Sequence, residues 1–151
     1  MKKIPLNHGE FALVDDADFN FLNQWRWRLN NKGYATRTEY LGGGRKNEKQ
    51  RNISMHALIN GTPKGFHTDH INRNKLDNRR KNLRTATCSQ NVLNSKLSRA
   101  NTSGYKGVSW YQNAWVAEIK VNRKKIYLGR FKKITNAIKA RKRAEKIYNL
   151  I

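Results

Sequence analysis

The sequence predicts an α+β protein whose strand-rich and helical segments follow one another along the chain. Short runs with period-two alternation of apolar and polar residues, separated by turns rich in Asn and Gly, indicate antiparallel strands. One central segment changes from strand-like to helix-like periodicity, and the last segment carries apolar residues at helical spacing. With 151 residues, the chain is long enough for one ordinary domain or two small ones.

The first part of the chain predicts a β-rich region with one short helix. The run KIPLNHGEFALVD alternates like strands, and Asp15 and Asp16 precede a helical pattern that an Asp is suited to cap. Residues 25–29 alternate as in a strand, and residues 30–33 predict the turn into a returning strand. Residues 41–46 predict a flexible loop, because a phosphate-binding P-loop would need Gly-Lys-Ser/Thr opening a helix. Residues 53–59 predict a strand or a short helix.

The middle of the chain, at about residues 65–97, predicts a strand, a long polar loop, a second strand and a helix. Thr87 is followed three residues later by Gln90, a pattern typical of a helix N-terminus. Asn91 falls in the first turn of this helix, where we expect its side chain to point back toward the strands.

The last part predicts a three-stranded antiparallel sheet and one basic amphipathic helix. Alternating runs are separated by turn signals at residues 112–113 and 122–123. Arg141 interrupts the apolar stripe of the helix, and we expect its aliphatic stem to cover the sheet while its charged head reaches water. The predicted organisation is one module over residues 1–98, a linker over 99–103 and a second module over 104–151.

Composition points to a polyanionic partner. The net charge is +22, from 32 Lys and Arg against 10 Asp and Glu, and it is distributed as +4, +7 and +11 over residues 1–60, 61–100 and 101–151. Such a field attracts nucleic acid first and a membrane surface second. The 37% hydrophobic content predicts modest cores, while the many aromatic residues argue against a disordered polycation.

Several protein classes are disfavoured by the sequence. No apolar run approaches the roughly 18 residues of a membrane-spanning helix, and the start of the chain lacks the apolar stretch of a secretion signal. A single cysteine, Cys88, rules out an internal disulfide and a Cys-rich zinc ribbon. We therefore expect a soluble cytosolic protein.

The chemistry is concentrated in the segment FHTDHINRNKLDNRRKNLRTATCSQN. It contains Asp69 and His70, then Asn82 twelve residues after the histidine, and Asn91 nine residues further on. A histidine titrates near neutrality and is suited to activating water, whereas carboxylate and amide oxygens are suited to a hard cation. Within a segment rich in Arg and Lys, this set predicts phosphodiester cleavage.

The stretch DHINRNKLDNRRKNLRTATCSQN resembles the HNH nucleases, in the version found in phage and intron homing endonucleases, whose ββα-metal fold is strand, loop, strand, helix. The resemblance implies that His70 is the general base and that Asn82 braces the loop between the strands. It implies that Asp69 and Asn91 bind one divalent ion, Mg²⁺ or Mn²⁺. The last letter of the family acronym is Asn here, a known variant of this branch. A bacterial or phage-infected cell would then be the setting, with action in the cytoplasm.

Other residues near this motif are candidates for contact with DNA. His67 lies two residues before Asp69 on the same strand face and is a candidate contact to the scissile phosphate. His56 is predicted to be structural. The basic side chains expected to contact the DNA backbone near the cut are Arg73, Lys75, Arg79, Arg80, Lys81 and Arg84.

Residues 104–148 resemble the plant ethylene-response-factor (APETALA-type) DNA-binding domain through the runs YKGV, WVAEI and YLGRF and the alanine-bearing last helix. The resemblance implies that the sheet lies in the major groove. Lysine replaces arginine at several of the implied positions and lacks the fork that reads guanine, so base selectivity would be weaker or different. The implied DNA-binding residues are Lys106, Ser109, Trp110, Lys120, Lys125 and Tyr127, with Glu118 nearby.

The expected function is a site-specific, divalent-metal-dependent DNA endonuclease of homing type. One active site per chain predicts a nick by a monomer, whereas a double-strand break would need two visits or a dimer. The alternatives are a DNA-binding regulator with an inactive nuclease core, an RNA-binding protein and a nonspecific nuclease. Competition between duplex DNA and RNA, and cleavage of random DNA, distinguish the last two.

Overall fold

The structure, a computed structural model, describes residues 1–43, 49–122 and 124–150. The predicted mixed α and β composition is confirmed. The chain divides into two compact units, Met1–Thr87 and Cys88–Ile151, and each has its own core. The predicted division into modules over residues 1–98 and 104–151, with a linker over 99–103, remains a prediction. Arg123 and the end of the predicted loop over residues 41–46 lie outside the described residues.

The first unit is built from short antiparallel strands and two short helices. A hairpin at the start and a second hairpin near the end flank a three-stranded sheet with the order β3-β4-β5. The elements are β1 (Lys2–Pro5), β2 (Phe11–Val14), α1 (Asp16–Leu22), β3 (Arg28–Leu29), β4 (Ala35–Tyr40), β5 (Gln50–Ser54), α2 (Met55–Asn60), β6 (His67–His70) and β7 (Leu83–Ala86).

One hydrophobic core holds these elements together. Leu22 from α1 and Met55 from α2 are completely buried in it. Leu83, the first residue of β7, belongs to the same core and lies directly opposite His70 in the strand register. The end of β6 that carries His70 is therefore anchored to the core.

Two expectations for the first part of the chain were wrong. Asp15 occupies the N-cap position of α1, but its side chain makes no capping bond and instead accepts the backbone N–H of Arg80 at 2.8 Å. The predicted strand over residues 25–29 shrinks to Arg28–Leu29. The reason is Trp27, which is buried in the core and donates its indole N–H to the carbonyl of Leu22 at 2.8 Å. Burial of the hydrogen-bonded Trp27 indole outweighs the preference for a strand that the alternating sequence indicates.

The segment predicted as a strand or a short helix contains both. Strand β5 ends at Ser54, and α2 begins at the next residue. Gly61 follows this helix in the left-handed conformation (φ 58°), which glycine adopts at little cost.

The second unit consists of α3 (Cys88–Asn94), β8 (Val108–Tyr111), β9 (Ala114–Val121), β10 (Lys124–Phe131) and α4 (Ile134–Ile147). Its strands form an antiparallel sheet in the order β10-β9-β8. Helix α4 packs on one face of this sheet, where Val108, Ala117 and Ala137 are buried together. Both turn residues between β8 and β9, Gln112 and Asn113, have positive φ, as the hairpin turn predicted there requires.

The expectation for Arg141 was wrong, because its charged head does not reach water. The side chain is buried, and its guanidinium donates to Glu145 at 2.8 Å and to the carbonyl oxygen of Glu118. Tyr105 donates its hydroxyl to the same carboxylate at 2.9 Å, and burial, reinforced by this bond, raises the pKa of Tyr105 to about 12. A buried ion pair thus replaces the snorkelling that the sequence predicts.

Across the residues that the structure describes, no helix has the length and apolar composition needed to cross a membrane.

Candidate functional site

His70 is the last residue of β6 and is almost completely buried, at 4% exposure. Its Nε2 lies 3.1 Å from the side-chain oxygen of Asn78, which is fully buried. Because an amide oxygen only accepts hydrogen bonds, this contact places the proton of the neutral imidazole on Nε2. The basic nitrogen of the ring is therefore Nδ1.

Asn78 was missed by the sequence analysis, and its position depends on a contact between distant segments. Its backbone N–H donates to the carbonyl of Leu13 in β2 at 2.8 Å, and Leu13 donates to the carbonyl of Leu76 at 2.8 Å. The loop between β6 and β7 is thus paired with the first hairpin. The side-chain amide of Asn78 also points toward the sulfur of Met55 at 3.5 Å, which supports the orientation with its oxygen toward His70.

Asn82 lies inside the same loop and is buried. Its side-chain oxygen accepts the backbone N–H of Asn72 at 2.9 Å, and its amide donates to the carbonyl of Asp77 at 2.7 Å. These two bonds tie the end of the loop to its start and to its middle. Such a geometry is suited to bracing the loop, and the catalytic role of Asn82 remains a prediction.

Asp69 precedes His70 on β6 and is also buried. It lies opposite Arg84 of β7 in the strand register. Both Nε and Nη2 of Arg84 donate to the same carboxylate oxygen, Oδ2, at 2.9 and 2.8 Å. The predicted metal ligand therefore holds a cation of the chain itself.

A second histidine lies against His70. The ring of His56, in the first turn of α2, packs against both Tyr34 and His70, with ring centroids 4.9 and 5.1 Å away. Its Nδ1 is buried and has no hydrogen-bond partner among the described residues. Burial, and secondly the neighbouring His70, lowers the pKa of His56 to about 4. The sequence offered no signal that would place His56 beside the predicted base.

Burial also lowers the pKa of His70 below its ordinary value of 6.5. The bond to Asn78 and the carboxylates of Asp69 and Asp77 oppose this effect, while Lys75 adds to it. His70 is therefore neutral near pH 7, the state that a general base needs.

Most basic side chains of this segment are engaged within the chain. Arg79 donates to both oxygens of Asp77, at 2.6 and 2.7 Å, and Arg80 donates to both oxygens of Asp18, at 2.9 and 2.6 Å. Lys75 donates to the carbonyl of Lys32 at 2.7 Å and lies over the Tyr34 ring. A DNA contact by these residues would compete with those bonds.

Arg73 differs from these residues. It is exposed at a turn of the loop and has φ 63°. Neither the side chain of Arg73 nor that of Lys81, which is also exposed, has a hydrogen-bond or ion-pair partner among the described residues. His67 is exposed at the start of β6, on the strand face of Asp69. Both remain candidates for contact with a phosphate.

Asn91 lies on α3, in the second unit, and its role as a metal ligand remains a prediction. The C-terminal end of this helix is capped by Lys106, whose ammonium donates to the carbonyls of Val92 and Leu93 at 2.7 and 2.8 Å and to the carbonyl of Ser95. The ammonium of Lys106 is thus hydrogen-bonded within the second unit, although the sequence predicted that it contacts DNA.

The face of the second sheet opposite α4 carries most of the other predicted DNA-binding residues. The strand register pairs Lys120 with Lys125 and Glu118 with Tyr127 on this face. Trp110 instead pairs with Trp115, which packs on the helix side, so its half-exposed ring belongs to that side. The exposed side chains on the open face are Ser109, Tyr111, Lys120, Lys125, Tyr127 and Arg130, of which the sequence analysis missed Tyr111 and Arg130.

Comparison with known proteins decides the family. An uncharacterized HNH endonuclease of Acanthamoeba polyphaga mimivirus is 32% identical over 143 residues, which cover 95% of this chain and 69% of the viral protein. The chain belongs to the HNH endonuclease family. The sequence pattern of that family matches residues 55–93, a stretch that contains His56, Asp69, His70, Asn82 and Asn91. The predicted class of nuclease enzyme is confirmed by both matches.

A further relative is Protein 3.8 of Escherichia phage T7, which is 44% identical over 62 residues, or 40% of this chain. The match covers 51% of the phage protein, so it spans about half the length of that relative. No solved structure matches this HNH endonuclease at comparable significance.

HNH endonucleases generally depend on a divalent metal ion. The residues present fit such an ion, because Asp69, directly before His70 on β6, supplies a carboxylate, the hard oxygen ligand that such ions prefer. In the described part of the chain, no three His, Cys, Asp or Glu side chains converge on one point. Magnesium sites of this kind use one or two carboxylates, waters and substrate phosphates. Asp69 is the residue that would hold the ion in the first unit.

Proposed function

We propose that this HNH endonuclease is a site-specific, divalent-metal-dependent DNA endonuclease of homing type that nicks its target. The observation that carries the proposal is the buried His70, held through Nε2 by Asn78 and directly preceded by Asp69. This arrangement supplies a neutral base beside a carboxylate. It is what hydrolysis of a phosphodiester near pH 7 needs.

In the proposed reaction, Nδ1 of His70 takes a proton from a water molecule as the water oxygen attacks phosphorus. The bond from phosphorus to the 3′ oxygen breaks, and that oxygen receives a proton from solvent. The products are a 5′-phosphate and a 3′-hydroxyl. Asp69 and Asn91 would hold Mg²⁺ or Mn²⁺, which supplies charge stabilisation when bound.

We assign DNA recognition mainly to residues 104–151, as an APETALA-type DNA-binding domain. The +11 charge of residues 101–151 and the exposed lysine and tyrosine side chains on the open sheet face support this assignment. Arg73, at the loop of the first unit, would contact DNA near the cut. The enzyme would act as a monomer, one strand at a time, in the cytoplasm of a bacterial or phage-infected cell.

The test is cleavage of a supercoiled plasmid that carries DNA from the protein's own genome, in Mg²⁺ and in EDTA. We compare wild type with His70→Asn and with the matched variant His8→Asn, since His8 is exposed in a turn of the first unit. Metal-dependent nicking that only His70→Asn loses is the expected result. Binding without cutting in Mg²⁺ and Mn²⁺ would favour a DNA-binding regulator. A linear product would show that the enzyme cuts both strands rather than nicking one.

A further inference from the structure

The pair of Arg84 and Asp69 is built into the hairpin of β6 and β7. The two residues are direct partners in the antiparallel register. The Asp69 side chain is 7% exposed, whereas that of Arg84 is 44% exposed. The guanidinium therefore reaches a buried carboxylate from the solvent side.

This guanidinium occupies one oxygen of the carboxylate that is the proposed metal ligand. Both of its donors converge on Oδ2 of Asp69, at 2.9 and 2.8 Å. A divalent ion bound to the same oxygen would lie at contact distance from a like charge, which raises the free energy of the bound state. The guanidinium and the ion are therefore competitors for one oxygen.

We propose that Arg84 is a positioning residue of the metal site, which holds Asp69 while no ion is bound and turns to a DNA phosphate when the ion takes Oδ2. The inference rests on the proposed role of Asp69 as a metal ligand. It adds that metal affinity is set by the exchange of Arg84 between an internal carboxylate and the substrate.

The chain contains a matched pair for comparison. Arg79 binds Asp77 through the same donor atoms, Nε and Nη2, at 2.6 and 2.7 Å, and the side-chain amide of Asn72 donates to the same carboxylate. Removing the charge of Arg79 lowers the net charge as much as removing that of Arg84. It leaves Asp69 untouched.

The first experiment measures the affinity of the full chain for Mn²⁺ without DNA, from the electron paramagnetic resonance signal of the free ion. Arg84→Gln is expected to bind Mn²⁺ about 3- to 10-fold more tightly than wild type, the range expected for loss of one charged competitor. Arg79→Gln is expected to stay within about twofold. Equal affinity of Arg84→Gln and wild type would overturn the inference.

Asp69→Asn separates this inference from the proposed function. If Asp69→Asn binds Mn²⁺ as wild type does, Asp69 is no ligand and the proposed metal site fails with the inference. If Asp69→Asn weakens Mn²⁺ binding but Arg84→Gln does not change it, Asp69 is a metal ligand and the proposed exchange of Arg84 is wrong. Should Arg84→Gln fail to fold by circular dichroism, Arg84→Met decides, because it keeps an aliphatic stem of similar length and removes the charge. Affinity at least about twofold above wild type supports the exchange, and wild-type affinity overturns it.

The second experiment tests the release of Arg84 toward DNA. Affinity for a duplex DNA fragment of the protein's own genome that the wild-type chain nicks is measured by fluorescence anisotropy in the cleavage-deficient His70→Ala background, with and without Arg84→Gln. The added substitution is expected to weaken binding about threefold or more in Mg²⁺ and by less than about twofold in EDTA, because linkage between the two ligands is reciprocal. Equal losses in Mg²⁺ and EDTA would overturn the release step.

Discussion

Acidification should destabilise the first unit through His56. This ring packs against Tyr34 and His70, and its buried Nδ1 has no hydrogen-bond partner among the described residues. Burial lowers the pKa of His56 from 6.5 to about 4. Between these two values, the unfolded chain binds a proton at this residue that the folded chain does not.

The free energy of unfolding must therefore fall as the pH decreases from 6.5 toward 4, and the effect is complete below both values. The difference in the pKa of His56 corresponds to about 3 kcal/mol when complete and to about 2 kcal/mol at pH 5. The lowered pKa of His70 acts in the same direction. The carboxylate of Asp77, whose pKa Arg79 lowers below 3.8, loses its contribution only at lower pH.

The assay is urea unfolding of the full chain at pH 7 and pH 5, for wild type and His56→Phe. Phenylalanine preserves the ring contacts and removes the proton site. Wild type should lose about 2 kcal/mol more than His56→Phe between the two pH values. The exposed His8→Asn variant serves as the control and should behave as wild type does. Identical pH dependence of His56→Phe and wild type would refute a buried neutral His56.

Three further outcomes follow from the same structure. Asn78→Ala should lower kcat for single-strand cleavage about 10- to 100-fold with KM for DNA nearly unchanged, because His70 loses the acceptor that orients its ring; an unchanged kcat would contradict this role. The cleavage rate should stay level from pH 8 to 7 and fall only below pH 6.5, since burial lowers the pKa of His70; a midpoint above pH 7 would contradict the assignment of the base. Arg73→Ala should weaken DNA binding and reduce the slope of log affinity against log salt by about one, as anisotropy at several salt concentrations would measure. Arg79→Ala should mainly lower the stability of the first unit and leave the salt slope of DNA binding unchanged. If the salt slope falls for Arg79→Ala and not for Arg73→Ala, then Arg79 and not Arg73 contacts the phosphate.

The sequence predicted those elements whose signals are local. The strands and the hairpin turn of the second unit follow from alternation and from the turn residues Gln112 and Asn113, and the strand that carries both Asp69 and His70 was also predicted from the sequence. Such patterns report nearest-neighbour preferences, so they survive in the folded chain. Asn91 likewise lies on a predicted helix, although its chemical role is still a prediction.

The remaining features depend on residues that are distant in sequence. Arg80 pairs with Asp18 from 62 residues away, and Asn78 reaches His70 only because the loop is docked on β2. Arg141 was misjudged because its partner carboxylate lies inside the core, where a charge is retained only when it is paired. No local sequence pattern predicts pairs between residues that are so far apart in the chain.

The pairing of Leu13 with the loop of the first unit has a consequence for how this nuclease can be divided or transplanted. The family pattern begins at residue 55, yet the backbone that fixes Asn78 is bonded to residue 13. A fragment cut at the edge of the pattern would leave the N–H of Asn78 and the carbonyl of Leu76 without these partners. The first hairpin therefore helps to hold the loop that places Asn78 against His70. A shortened or transplanted nuclease module would therefore need to keep the first hairpin together with the loop between β6 and β7.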